Sequence, residues 1–201
     1  SDLTAYQGFD AFFHAAEGFI ANIATPISRL YSLESIKLLY KYLPRAVADG
    51  NDMEAREKVA LASMLAGMVE STSSCTSEHS LEHAMSAYYP KLPHGAGLIS
   101  ISLAYFKAFV GTDRADNDYR EMASAMTGGP STDPQDFIRT LAEMQKACKV
   151  DAIALSHWGI TSADFDRFAT NAVTTMGGLF GFDPRKLSHE EMAGIYRDSF
   201  R

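Results

Sequence analysis

The chain has 201 residues, 46% of them hydrophobic and 21% charged, the balance of a soluble globular protein with room for one domain or two small ones. Its formal net charge of −7 argues against nucleic acid or an anionic membrane as the main partner, since both need a basic face. No apolar run approaches the roughly 18 residues of a membrane span, the start carries Asp2, Asp10 and Glu17 but no basic residue as a signal peptide would, and Cys75 and Cys148 are too few for a disulfide scaffold and suit a reducing cytoplasm.

Helical periodicity dominates the rest. From Phe9, apolar residues recur at Phe12, Phe13, Ala16, Phe19, Ile20 and Ile23, the spacing of a helix face. A second helix carries Ile36, Leu38, Leu39, Tyr42 and Leu43 and is expected to stop near Pro44 or soon after. Asn51 or Asp52 caps a third, ahead of the run ALASMLAGM. Thr72 to Ser77 reads as a Ser/Thr-rich loop, and a short helix is expected from Leu81 to Tyr88, broken by Pro90 and Pro93. A long apolar helix then runs from His94 to Val110, followed by helices over Asp116–Met126, Asp136–Cys148 and Thr161–Thr174, with the loop GGPSTDP at residues 128–134. Ser188 and Glu191 make a capping box for the last helix. With no convincing strand, repeat or linker, the expectation is a single all-α domain of about eight to ten helices.

The chemistry concentrates in two windows. Asp10 and His14 are four apart in GFDAFFHAAEGFIAN, so on a helix they project from one face. That helix is apolar or small nearly all round, so it is expected to be buried, and a buried aspartate must be paired or bound to a metal. An Asp–His ion pair or a helix-start aspartate is the plainer alternative. His79 and His83 share the same spacing, where two half-exposed histidines beside Glu78 and Glu82 are the plainer reading. His94 follows in Leu-Pro-His-Gly-Ala-Gly, rigidly placed between Pro93 and an apolar helix, and could equally be a capping residue. Taken together, a carboxylate and three imidazoles suit Fe²⁺, Zn²⁺ or a similar divalent ion and leave positions open for a substrate oxygen. Only one of His79 and His83 is needed as a ligand. There is no H-E-x-x-H, CxxC, G-x-S-x-G or G-x-x-x-x-G-K-[ST] motif. His157, beside Trp158, and His189, inside the last capping box, read as structural.

The windows GFDAFFHAAEGFIAN and HSLEHAMSAYYPKLPHGAG, with the terminal DPRKLSHEEMAGIYRDSF, resemble the iron-containing (group III) alcohol dehydrogenases. The resemblance spans essentially the whole chain but only the second half of such an enzyme, its dehydroquinate synthase-like helical domain. It implies that Asp10, His14, His79 and His94 are metal ligands and that His83 lies near the nicotinamide and takes part in proton transfer. One departure is that AYYPKLPHG runs one residue longer than the usual loop. The resemblance also implies Fe²⁺ or another divalent ion, NAD or NADP, a small alcohol or aldehyde substrate, and an N-terminal nucleotide-binding domain of the same enzyme. The chain starts Ser-Asp-Leu without methionine, in keeping with a domain cut from a longer protein and inactive alone; a homo-oligomer stays open. A metal-dependent hydrolase, with Glu17 or Glu82 as general base, and a non-catalytic helical interaction module are the competing readings.

Overall fold

The first helix, α1 (Asp2–Ile20), is built from aromatic and small residues, and twelve of its nineteen positions are buried. In the computed structural model, which describes residues 2–201, it lies at the centre of an all-helical domain. Around it come α2 (Pro26–Ala48), α3 (Met53–Ser73), α4 (Ser77–Tyr88), α5 (His94–Lys107), α6 (Asp113–Thr127), α7 (Gln135–Ala147), α8 (Phe165–Met176) and α9 (His189–Ser199). Short 3₁₀ turns join the last helices, and there is no strand among the described residues. Phe12 stacks on Phe137 of α7, and Phe13 on Phe106 of α5, each with ring centroids 6.3 Å apart. Fully burying such rings contributes about 1.5–3 kcal/mol each.

Several boundaries differ from the sequence expectation, each for a physical reason. The helix α2 passes through Pro44 and ends at Ala48. Pro44 sits near its C-terminal end, where one missing N–H is offset by Leu43 and Ala46 packing into the core. Thr72 and Ser73 are helical, their hydroxyls satisfied by the carbonyls of Met68 (2.8 Å) and Val69 (3.2 Å), and Ser73 is buried against α1 with its hydroxyl 3.2 Å from the Gly18 carbonyl. Only residues 74–76 connect α3 to α4.

The fourth helix begins at Ser77, four residues before Leu81. Its N-cap residue Thr76 makes no side-chain cap. Two carboxylates from distant elements take that role. Glu17 Oε2 accepts the Thr76 N–H at 2.8 Å, and Asp183 Oδ1 accepts the Ser77 N–H at 2.9 Å. Carboxyl oxygens that accept the orphan N–H groups of a helix's first turn stabilise its start, so these contacts add an extra turn that local sequence does not encode. The turn carries His79 towards α1. The close approach of α5 to α1 depends on Gly95, where a Cβ would lie 2.3 Å from the Tyr6 carbonyl oxygen. The predicted capping box at Ser188 and Glu191 forms as expected.

Candidate metal centre

Asp10 and His14 occupy one edge of α1, where the helix surfaces. Their side chains are 34% and 25% exposed, so this edge is half-buried, in contrast to the all-round burial expected from its composition. His79 comes from the extra turn of α4 and is buried. His94 is the first residue of α5, directly after Pro93.

These four side chains converge. Asp10 Oδ1 lies 3.5 Å from His14 Nε2, 3.5 Å from His79 Nε2 and 3.4 Å from His94 Nε2. Candidate ligand atoms of Asp10, His79 and His94 all fall within 4.8 Å of one another, and His14 belongs to a neighbouring group with Cys75 and His79. Asp10 Oδ1 and His79 Nε2 are buried and have no hydrogen-bond partner. Orphaned buried polar atoms carry a desolvation cost of about 1–3 kcal/mol each, which a cation between them would remove. A tetrahedron with metal–ligand bonds of roughly 2.1 Å has edges of about 3.4 Å, close to the separations around Asp10. The donor set therefore fits a divalent ion.

The other face of each imidazole meets a glutamate. His14 Nδ1 lies 3.2 Å from Glu70 Oε2, His79 Nδ1 lies 2.5 Å from Glu17 Oε1, and His94 Nδ1 contacts Glu82 Oε2. An Nδ1–H donated to a carboxylate leaves the Nε2 lone pair facing Asp10 and fixes the ring, as in carboxylate–histidine–metal arrangements. Glu17 and Glu82 are fully buried. They were candidates for a hydrolytic general base, and the structure instead occupies them with imidazoles. Glu17 was legible in part, since it lies seven residues after Asp10 and so on the same helical face. Glu70 carried no signal, because its partner is 56 residues away.

Electrostatics follow from this crowding. Burial pushes the Asp10 carboxyl up, but the adjoining His79 and His94 imidazoles outweigh it and hold the group well below the usual carboxylate range. Burial favours neutral His79, and the Glu17 charge overrides it and raises the group well above the ordinary value. Burial likewise opposes charge on His94, yet Asp10 and Glu82 bring it up to about 9. Burial pushes the Cys75 thiol up to about 12.

His83 stands apart. Its ring centroid is 5.1 Å from that of His94 and 6.4 Å from that of His79, on the open side of the cluster. Partial desolvation, reinforced by His94, pushes it below its ordinary value. A groove of about 680 Å³, lined by Leu3, Gln7, Asp10, His14, Arg56 and Gly67, leads away from Asp10 and His14. The remaining histidines stay outside. His157 packs on Trp158, and His189 is an exposed neighbour of Asp166.

Residues 4–200 match the family described as Fe-containing alcohol dehydrogenase family, C-terminal. The chain belongs to that family. Among relatives, it is 31% identical to the 1,3-propanediol dehydrogenase of Citrobacter freundii, over 98% of this chain and 51% of that protein. It is 29% identical to the Klebsiella pneumoniae protein of the same description, with the same coverages. Its fold overlays an archaeal halo-thermophilic Red Sea brine pool alcohol dehydrogenase with a TM-score of 0.93 at 29% identity, over 98% of this chain and 51% of that one. The chain thus spans about half the length of the relatives it matches and corresponds to the C-terminal region of the family.

Proposed function

We propose that residues 1–201 form the metal-binding domain of an NAD(P)-linked, iron-dependent alcohol dehydrogenase. Asp10, His14, His79 and His94 are the ligands, and Fe²⁺ or Zn²⁺ suits the set equally. The observation that carries this reading is the convergence of three imidazole Nε2 atoms on a buried, partnerless carboxylate oxygen. When bound, the metal supplies Lewis-acid polarisation of an alcohol oxygen, lowering the pKa of its hydroxyl. The protein's own part is to hold that oxygen's environment and move its proton. Glu70, Glu17 and Glu82 hold the three imidazoles in orientation. His83, biased towards its neutral form, would accept the hydroxyl proton beside the nicotinamide. Hydride transfer belongs to the cofactor.

The nucleotide would bind a second, N-terminal domain in the intact protein, which also closes the site; the 201-residue chain alone is expected to hold metal without oxidising alcohol. Relatives described as an NAD-dependent methanol dehydrogenase and an NADPH-dependent butanol dehydrogenase support a small alcohol and leave both nucleotides in play. Two free buried thiols fit a reducing cytoplasm. Elemental analysis after oxygen-free purification tests the ligand set. About one divalent ion per chain is expected, lost in His79→Ala and His94→Ala and kept in His83→Ala. Metal loss in His83→Ala with retention in His79→Ala would reverse the assignment of that pair.

A further inference from the structure

Cys75 lies beside the cluster and has no part in the proposed function. It is buried in the three-residue connection between α3 and α4. Its Sγ lies 3.4 Å from His14 Nδ1 and donates to Glu70 Oε2 at 2.7 Å, and that oxygen is itself 3.2 Å from His14 Nδ1. Three donor atoms from α1, α3 and the connection thus face one another, with His14 Nδ1 near ligand-to-ligand distance of the other two, while the 2.7 Å Cys75–Glu70 hydrogen bond has to open as the thiol loses its proton. For metal–nitrogen and metal–sulfur bonds of roughly 2.1 and 2.3 Å, a tetrahedral N···S edge is about 3.6 Å, close to that between His14 and Cys75. His79 is only 4% exposed, the partnerless Nε2 that faces Asp10 is its free ring nitrogen, and its candidate ligand atom also lies within 4.8 Å of those of His14 and Cys75.

We infer that His14, Cys75 and His79, with Glu70 as fourth donor, form a second cation site overlapping the first, selective for a thiophilic divalent ion such as Zn²⁺ or Cd²⁺. The inference rests on the proposed metal centre for the two shared imidazoles. His14 turns Nε2 towards Asp10 and Nδ1 towards Cys75 and Glu70, so one neutral ring serves one ion at a time and the two sites exclude each other. The carboxylate and three imidazoles around Asp10 suit Fe²⁺ and Zn²⁺ alike, whereas the sulfur draws the more thiophilic ion towards Cys75. Binding breaks the S–H bond and forms a sulfur–metal bond, with the proton released to solvent. The position of the site makes it a means of metal discrimination, because a thiophilic ion settling there takes His14 and His79 away from Asp10.

The test is a Cd²⁺ titration of the metal-free intact protein without oxygen, followed by the ultraviolet thiolate-to-cadmium charge-transfer band. The wild-type protein should develop the band in proportion to bound Cd²⁺, reaching saturation at one ion per chain. Cys75→Ser, which keeps a donor for Glu70, should lose the band and bind Cd²⁺ on the order of tenfold more weakly, with Fe²⁺ binding retained. Cys148→Ser should keep the band. Stoichiometric Cd²⁺ binding to wild type without the band, or a band that survives in Cys75→Ser, overturns the inference. The wild-type measurement needs no variant, so a folding defect in Cys75→Ser does not spare the inference. Asp10→Asn separates the two readings. A thiolate band retained there, with Fe²⁺ lost, supports the second site. Fe²⁺ lost there, with no band in any variant, leaves the proposed centre standing and this site refuted.

Discussion

Gly97 leaves the hollow that Glu82 fills. A Cβ at Gly97 would lie 2.5 Å from Glu82 Oε1, the same oxygen that accepts from Ser86 Oγ, and the other carboxylate oxygen meets His94 Nδ1. A methyl group there has to push the carboxylate away from the imidazole that it orients. Gly97→Ala is therefore expected to lower metal affinity by about 10–100-fold, the usual effect of losing an outer partner of a ligating histidine. Alanine is the better helix former by about 1 kcal/mol, so the helix itself should tolerate the change. Competition against a chelator measures the affinity. An unchanged value would show that Glu82 does not act through this position.

Protons compete with metal for the same imidazoles. His94 in the metal-free protein is raised to about 9, after Asp10 and Glu82 outweigh burial, and His79 is raised as well. A raised histidine favours its protonated form below that value, and only the neutral ring binds metal. Affinity is therefore expected to climb as pH rises towards about 9 and to level off beyond it. Glu82→Gln removes one cause of the elevation, so its levelling-off should come at lower pH. Isothermal titration across pH reads both curves. A wild-type affinity already flat near neutrality would contradict the proton competition.

How much of this was legible in the sequence depends on reach. Asp10 with His14 and His79 with His83 announce themselves through i,i+4 spacing, and His94 through its Pro-His-Gly setting, because those signals lie within one or two turns. The start of α4 was not legible, since its caps Glu17 and Asp183 come from 59 and 106 residues away. Nor was the role of Glu82, whose spacing from His79 gives no hint that it turns instead to His94. Pro44 did mark the approaching end of α2, but that the helix runs one more turn to Ala48 follows only once Leu43 and Ala46 are known to be in the core. In each case the missing information is a tertiary contact.

The cap at α4 yields a stability prediction. Asp183 is buried, accepts from the Ser77 N–H, the Ser77 hydroxyl and Tyr105, and burial lifts it from 3.8 to about 7. A carboxyl raised in the folded state binds its proton more tightly there than when unfolded. Its contribution is greatest at low pH and is lost as pH rises from about 4 to about 7. Asp183→Asn should flatten that part of the stability curve. Asp183→Ala, which orphans buried donors, should cost about 1–3 kcal/mol at any pH. Urea unfolding between those pH values compares all three proteins. An equal slope in wild type and Asp183→Asn would rule out this titration.

His83 gives the sharpest division between binding and chemistry. Its ring lies 5.1 Å from that of His94, and desolvation, aided by His94 and opposed by the Glu82 charge, biases it towards the neutral form. In the intact enzyme, His83→Ala should keep its metal and lower kcat for alcohol oxidation by roughly 10²–10⁴-fold, the range for removal of a general acid–base group. An acidic limb of the kcat profile is expected in wild type from loss of the neutral imidazole, and it should disappear in His83→Ala. Small exogenous imidazole should restore part of the rate, because it supplies the missing proton acceptor without rebuilding any packing contact. A variant that loses metal together with activity, or one whose pH profile keeps its acidic limb, would place His83 in a structural role.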